Sequence, residues 1–242
     1  MYQQCPRKFK YSYIDKIPAP WTDSLATQRG KFLHLLMEHS GNIQKVKASK
    51  DWEEIQEIGI LHPGHLKDCV RIYQDFTSSD IGQSLLNKEM IFAEQKVGLD
   101  HNFEFMDFDK YVKTENQPDE LVFRGFMDAG FVQDSANPAS TLIIVDWKSG
   151  KYKHYKYDQL MWYAIAMFKM NPALENIVLM YAFLEHNKTQ MTKLTRADLH
   201  KYETALLTEI DEIEKDQTFE VNVSPLCNWC AFQEHCTSDC AY

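Results

Sequence analysis

The segment at residues 141–148 (TLIIVDWK) is an apolar run that ends in two charged side chains. Its Leu, Ile and Val residues favour a β-strand. A helical segment at 155–170 and a second, buried-looking strand at 176–184 follow it. A strand, a helix and another strand in this order indicate a parallel crossover within one sheet. The sequence therefore predicts a mixed sheet flanked by helices, in the α/β or α+β class.

Further elements are predicted on both sides of this unit. Apolar residues recur at helical spacing over 24–41 and about 63–76. A final helix is predicted to continue to about Lys215, with Thr195 and Asp198 as its capping box. Without an internal repeat, the chain is interpreted as one domain over 1–242 with a helical insertion at 42–88. The other predicted strands are 89–99, 102–108, 120–133 and 188–194.

Composition limits the class of protein and its partners. With 44% hydrophobic and 25% charged residues, the chain falls within ordinary globular composition. It has no apolar run of membrane-spanning length and no apolar leader at its start, so a cytoplasmic protein is expected. A net charge of -9 argues against a general polyanion-binding surface. Any contact with a polyanion must then be local. The two basic clusters, which could equally be solvated loops, are Arg7, Lys8 and Lys10, and Lys148, Lys151, Lys153 and Lys156.

Two acidic residues carry the strongest chemical signal. Asp146 and Lys148 end the apolar strand and share one face of it, because side chains alternate along a strand. Asp128 lies within another apolar strand, where an unpaired charge would be costly to bury. A divalent cation between Asp128 and Asp146 would meet that cost. The alternative is a structural Asp–Lys pair with an unrelated turn aspartate.

Two helices carry weaker signals. Gly30, His34 and Glu38 recur every four residues and therefore share one helical face. Gln159 and Tyr163 have the same spacing on the helix after the Asp146 strand, where both would face the mouth of the site. Alone, His34 could be a hydrogen-bonded core residue, and the second pair could belong to an amphipathic helix resting on the sheet.

The cysteines are grouped at the two ends of the chain. Cys227, Cys230 and Cys236 form a compact trio, and Cys5 lies near the start. Four thiolates bind either zinc or an iron–sulfur cluster, and their spacing does not choose between the two. Cys240 is a substitute for one ligand and His235 a weaker one, whereas Cys69 is interpreted as a buried thiol.

Together these residues resemble the RecB-like branch of the PD-(D/E)XK nuclease superfamily, which includes AddB helicase–nuclease subunits and CRISPR-associated and phage exonucleases with an iron–sulfur cluster. Each matching motif is short, but their order along the chain is specific. The motifs are Cys5-Pro-Arg-Lys-Phe, Gly30-x-x-x-His34-x-x-x-Glu38, Gly125-x-x-Asp128, Asp146-Trp-Lys148, Gln159-x-x-x-Tyr163, and Cys227-x-x-Cys230 with Cys236.

The resemblance implies a role for each matched residue. His34, Asp128, Asp146 and the backbone carbonyl of Trp147 would bind Mg²⁺ or Mn²⁺, and Lys148 would be the catalytic lysine. Glu94 would support the metal through a water molecule, with Glu104 as an alternative. Gln159, Tyr163 and Lys151 would contact DNA. Cys5, Cys227, Cys230 and Cys236 would hold a 4Fe-4S cluster that fastens residues 1–20 to residues 220–242.

The resulting expectation is a metal-dependent deoxyribonuclease, an exonuclease on single strands or duplex ends used in recombination, repair or DNA processing. A helicase, or a recombination or CRISPR protein, is the expected protein partner. Three alternatives remain open: a structure-specific or single-strand endonuclease, a non-catalytic DNA-end binding module, and a four-cysteine zinc protein that only binds nucleic acid.

Overall fold

The computed structural model describes residues 1–19, 24–100, 102–106 and 121–236, apart from the side chains of Leu121 and Val122. Within these ranges the α-helices are α1 (Pro6–Phe9), α2 (Leu25–Glu38), α3 (Ile43–Lys47), α4 (Lys50–Ile58), α5 (Pro63–Ser78), α6 (Asp80–Leu86), α7 (Asp158–Met170) and α8 (Leu199–Lys215). The strands are β1 (Glu89–Asp100), β2 (Phe105–Met106), β3 (Leu121–Val132), β4 (Thr141–Lys148), β5 (Asn176–Phe183) and β6 (Lys188–Thr195).

The strands form one mixed sheet in the order β2-β1-β3-β4-β5-β6, six strands in the described ranges. Strands β4 and β5 run parallel, joined through α7, and the other neighbouring pairs are antiparallel. The predicted mixed sheet and parallel crossover are therefore confirmed. Since β4 is buried along nearly its whole length, it is the central strand that its apolar sequence indicates.

Helices cover the sheet and create its core. Trp147 turns away from the charged residues on either side of it and packs edge-on against Phe76 of α5 and Phe131 of β3. Buried residues of α2 and α5 complete this cluster. Helix α7 packs against β1, β3, β4 and β5. None of the helices in the described ranges is long and apolar enough to cross a bilayer.

Some element boundaries differ from the prediction. The helix expected from residue 155 begins at Asp158, because the basic segment before it is a loop. The predicted capping box at Thr195 is wrong: its hydroxyl donates to the Asp198 carboxylate at 2.7 Å, and a 3-10 turn precedes α8. Strand β2 covers two residues of the predicted 102–108, of which 107–108 lie outside the described residues.

The chain divides into two compact units, one of Ser24–Glu203 and one of Met1–Asp23 with Thr204–Tyr242. In the second unit, side chains join the two ends of the chain. Tyr2 donates a 2.6 Å hydrogen bond to Asp216. Arg7 Nε donates to the Phe219 carbonyl at 2.8 Å. Hydrogen bonds between residues far apart in sequence thus hold the terminal segments together within this unit.

Candidate active site

A row of polar side chains crosses the apolar sheet near the carboxyl end of β4. The register pairs Asp146 of β4 with Tyr181 of β5, and Tyr181 with Gln190 of β6. On the other side of β4, the register of β1 and β3 sets Glu94 level with Asp128. Asp146 and Gln190 are buried although they are polar. Polar groups at such positions need partners, so this row marks the part of the sheet where chemistry is expected.

Strands β3 and β4 stop pairing beside this row. Their last register pair is Ala129 with Val145, and Asp128 and Asp146 are the next residue along each strand. Beyond it, the backbone amide of Trp147 donates a 2.7 Å hydrogen bond to Oδ2 of Asp128. The carboxylate thus replaces a strand partner, which fixes Asp128 at the point where the strands separate.

Helix α2 brings His34 to the same point. Nε2 of His34 donates to the carbonyl of Trp147 at 2.9 Å, which leaves Nδ1 facing Asp128 Oδ2 at 3.6 Å. The ligand atoms of His34, Glu94 and Asp128 all lie within 4.8 Å of one another. Helix α2 also lies close to the segment after β4, since a Cβ at Gly30 would lie 3.1 Å from Oγ of Ser149.

Burial and charge repulsion shift the pKa values of Glu94, Asp128 and His34. Burial, followed by the charge of Asp128, raises the pKa of Glu94 to about 7. Burial, followed by the charge of Asp146, raises the pKa of Asp128 to about 7. Burial lowers the pKa of His34, which favours the neutral imidazole that binds metals. Two carboxylates that resist ionisation next to a neutral imidazole fit a divalent cation, since its charge would stabilise both carboxylates.

Glu94 has an unusual backbone. Its φ of 49° is left-handed, although the residue lies within β1. For a residue other than glycine this costs on the order of 1–2 kcal/mol. Glu104, the alternative to Glu94, is exposed, and its backbone amide donates to Asp100. Of the two glutamates, the structure brings Glu94 next to Asp128.

Lys148 forms an ion pair with Asp146. Its Nζ is 2.6 Å from Asp146 Oδ2, so the predicted shared face of these two residues is confirmed. The same ammonium lies 5.1 Å from the ring centre of Tyr155 and 5.0 Å from that of Tyr181. A carboxylate and two aromatic rings therefore hold this cation in place.

Sequence reasoning missed the residues that position this aromatic pair. Gln190 accepts from the Tyr155 amide at 2.9 Å and donates to the Tyr155 carbonyl at 2.5 Å. The Tyr181 hydroxyl donates to the carbonyl of Lys156 at 2.9 Å. A tyrosine inside the apolar strand NIVLMYAFL is the signal that could have indicated this role.

Tyr163 is a buried residue, only 3% exposed. Its hydroxyl accepts a 3.0 Å hydrogen bond from Gln159 Nε2 and a second from the Phe126 backbone. A Cβ at Gly125 would lie 2.6 Å from the Tyr163 ring, so that ring packs directly on the β3 backbone. Stacking of a base on the Tyr163 ring does not fit this burial, whereas Gln159 and Lys151, the other two residues predicted to contact DNA, are exposed.

The predicted cluster cysteines lie in the unit formed by the two ends of the chain. Cys5, Cys227, Cys230 and Cys236 line one cavity with Tyr11 and Phe232. The amide of Ser224 donates to Cys227 Sγ at 3.4 Å. Among the described residues, however, the close-set group of ligand atoms is His34, Glu94 and Asp128, and the cysteine sulfurs form no such group.

The remaining cysteines and the alternative ligand His235 have different surroundings. Cys69 is fully buried in the insertion, as expected of a structural thiol. His235 accepts a hydrogen bond from Tyr11 through its backbone carbonyl. Cys240 lies outside the described residues.

Comparison with protein families identifies the superfamily of the chain. The family model described as the PD-(D/E)XK nuclease superfamily matches residues 1–237. No curated protein sequence matches the chain.

Several solved structures are similar to the chain, and two of them illustrate the low sequence identity. One is a Eubacterium rectale protein provisionally titled an exonuclease, with 10% identity, a TM-score of 0.46 and coverage of 88% of this chain and 80% of that one. The other, titled only SSO0001, has 12% identity, a TM-score of 0.33 and coverage of 98% and 83%.

Proposed function

Because the chain belongs to the PD-(D/E)XK nuclease superfamily, we propose that it is a metal-dependent DNA nuclease of the RecB-like branch. Within that class we propose an exonuclease that acts on single strands or duplex ends. The order of the motifs from Cys5 to Cys236 supports the branch.

One observation carries the proposal. The ligand atoms of His34, Glu94 and Asp128 lie within 4.8 Å of one another, and the adjacent Asp146 forms an ion pair with Lys148 at 2.6 Å. A structural Asp–Lys pair would need no further acid. Here two more carboxylates with raised pKa values, one of them on a residue with a strained φ, lie beside a neutral imidazole, which is typical of a site built to bind a cation.

The residues of the site would divide the work. His34, Glu94, Asp128 and Asp146 would hold the cation. A bound divalent ion supplies a water of lowered pKa and neutralises charge on the scissile phosphate. Lys148 would donate from Nζ to the attacking water or to a phosphate oxygen, stabilising the charge that develops there. Asp146 and the rings of Tyr155 and Tyr181 would orient that ammonium.

We also propose that the four cysteines hold an iron–sulfur cluster. All four line one cavity, and the Ser224 amide already donates to one of the sulfurs. Four thiolates around one cavity are the ligand number that an iron–sulfur cluster requires, and a single zinc ion is the alternative. The cluster's role would be to fasten the terminal segments, because all four of these cysteines lie in the unit that the two terminal segments form.

The test of the nuclease proposal is cleavage of end-labelled linear and of circular single-stranded DNA by anaerobically purified protein. Reactions contain Mg²⁺, Mn²⁺ or chelator and compare the wild type with Asp146→Ala. The matched control is Asp134→Ala, since Asp134 is an exposed carboxylate in the turn after β3. Metal-dependent loss of the linear substrate alone, abolished in Asp146→Ala only, is expected.

Two other outcomes would contradict the proposal in different ways. Loss of the circular substrate as well would favour the endonuclease alternative, with the same metal site and a differently gated DNA path. Absence of cleavage with either metal, together with retained DNA binding, would favour a non-catalytic DNA-end binding module.

A further inference from the structure

A strongly basic and aromatic loop leads away from Lys148. Residues 151–157 (KYKHYKY) connect β4 to α7 and contain three lysines, one histidine and three tyrosines, in a chain of net charge -9. The lysines and the histidine are exposed. Tyr152 is also exposed, at 46% of its surface. The loop is therefore a local cationic surface that offers an aromatic ring to solvent.

A chain of aromatic contacts connects this ring to the candidate active site. Lys148 Nζ lies 5.1 Å from the ring centre of Tyr155. The Tyr155 ring contacts that of Phe183 at 5.8 Å between centres. The Phe183 ring contacts that of Tyr152 at 4.8 Å, nearly edge to face. Tyr152 thus lies two ring contacts away from the ring that holds Lys148, at the exposed end of the row.

Two cations stand near the aromatic row. Lys188 Nζ lies 4.8 Å from the ring centre of Tyr152, and Lys153 Nζ lies 4.7 Å from that of Tyr155. Both belong to exposed side chains. Aromatic rings alternating with lysines are typical of surfaces that bind single strands, where bases stack on the rings and lysines contact the phosphates. Bases of a duplex are already stacked on one another, so they are not available to such a ring.

We propose that Tyr152 stacks against a nucleobase of single-stranded DNA that flanks the scissile phosphate, with Lys153 and Lys188 contacting the backbone phosphates. This inference rests on the proposed nuclease function and deepens it, because it makes the single strand the form of DNA that this site binds. The buried Tyr163 does not offer a ring to a base, and Tyr152 takes that role.

The test separates stacking on bases from attraction to phosphates. Binding of a fluorescent dT20 strand and of an abasic strand of equal length is measured by anisotropy in chelator, so that cleavage plays no part. The proteins are the wild type, Tyr152→Ala, Tyr152→Phe and Tyr202→Ala. Tyr202 is a half-buried tyrosine on α8 near the acidic Asp198, which makes it a matched control away from the basic loop.

The wild type, Tyr152→Phe and Tyr202→Ala should bind dT20 about tenfold more tightly than the abasic strand. Tyr152→Ala should lose that preference while it keeps the weaker, salt-dependent binding that both strands share. If Tyr152 only packed against Phe183, its replacement would lower the melting temperature and leave the preference intact, which would overturn the inference. Because the ratio is measured without cleavage, a wild type that cleaves no DNA would contradict the nuclease proposal alone.

Discussion

The backbone amide of Trp147 and the carboxylate of Asp128 are joined by a 2.7 Å hydrogen bond at the point where β3 and β4 cease to pair. The amide of the middle residue in Asp146-Trp147-Lys148 therefore positions an acid from another strand. The Trp147 side chain packs against Phe76 and Phe131 in the core. One residue thus connects the apolar core on one face with the acidic group on the other.

The Trp147 carbonyl extends this connection to α2. It accepts from His34, so the amide and the carbonyl of one residue position a carboxylate and an imidazole. Small changes in how β4 packs should therefore change the geometry of both candidate metal ligands together.

Gly125→Ala should lower both stability and cleavage. The new Cβ would lie 2.6 Å from the Tyr163 ring, and relieving that contact would displace either α7 or the β3 segment that carries Asp128. Such overpacking costs about 1–3 kcal/mol. Melting temperature and cleavage rate are the measurements, with Gly150→Ala as the control because a Cβ there meets nothing within 4 Å. Equal behaviour of the two variants would contradict the packing role of Gly125.

Much of the fold could be predicted from the sequence, because the informative patterns are local. The run at 141–148 matches β4 at both ends, since a strand buried on both faces must be apolar until it reaches the edge of the core. The short helices α3, α4 and α6 were not predicted one by one. Each is under ten residues, too short for helical periodicity to stand out.

The candidate site was harder to predict from the sequence, because its composition depends on which strands are neighbours in the sheet. Asp128, Asp146 and Lys148 could be predicted from charges placed on apolar strands. Gln190 could not, since its role as a clamp on Tyr155 depends on the pairing of β5 with β6. Glu94 was distinguished from Glu104 only by register and backbone conformation.

Lys148→Ala should reduce kcat on the order of a hundred- to a thousandfold, the usual effect of removing one group that stabilises transition-state charge. DNA and metal binding should remain largely intact. The control is Lys169→Ala, because Lys169 forms an ion pair of similar burial with Glu203 at 2.9 Å. Rates of cleavage with Mn²⁺ check the prediction. Full activity in Lys148→Ala would remove this lysine from the chemistry.

Stabilisation by metal should increase with pH. Without metal, Glu94 and Asp128 keep their protons in the folded protein up to about 7. In the unfolded chain these two carboxyl groups lose their protons at about pH 4. Because the folded state holds these protons more tightly than the unfolded chain, the free energy of unfolding of the metal-free protein falls as the pH rises from about 4 to about 7. Mn²⁺ competes with those protons, so it binds best above that range.

The measurement is the melting temperature with Mn²⁺ minus that with chelator, from about pH 5.5 to about pH 8.5, a range that spans the raised pKa values. The difference should grow through about pH 7, where the carboxylates ionise. Asp128→Asn should show little metal effect at any pH, because it removes a ligand. A difference that stays constant with pH in the wild type would mean that these carboxylates do not hold the ion. The lowered pKa of His34 keeps its imidazole neutral over most of this range.

If the four cysteines hold the proposed iron–sulfur cluster, Cys230→Ser should bleach the cluster's absorption in anaerobically purified protein and lower the melting temperature. The physical reason is that metal–thiolate bonds would fasten the terminal segments. Losing one ligand therefore removes binding energy that stabilises the folded protein. Cys69→Ala is the matched control: Cys69 is fully buried in the insertion, so its loss should also destabilise the fold but leave the spectrum unchanged. A colourless wild type containing one zinc ion would favour the four-cysteine zinc alternative. A coloured Cys230→Ser protein with an unchanged spectrum would show that Cys230 is not a ligand.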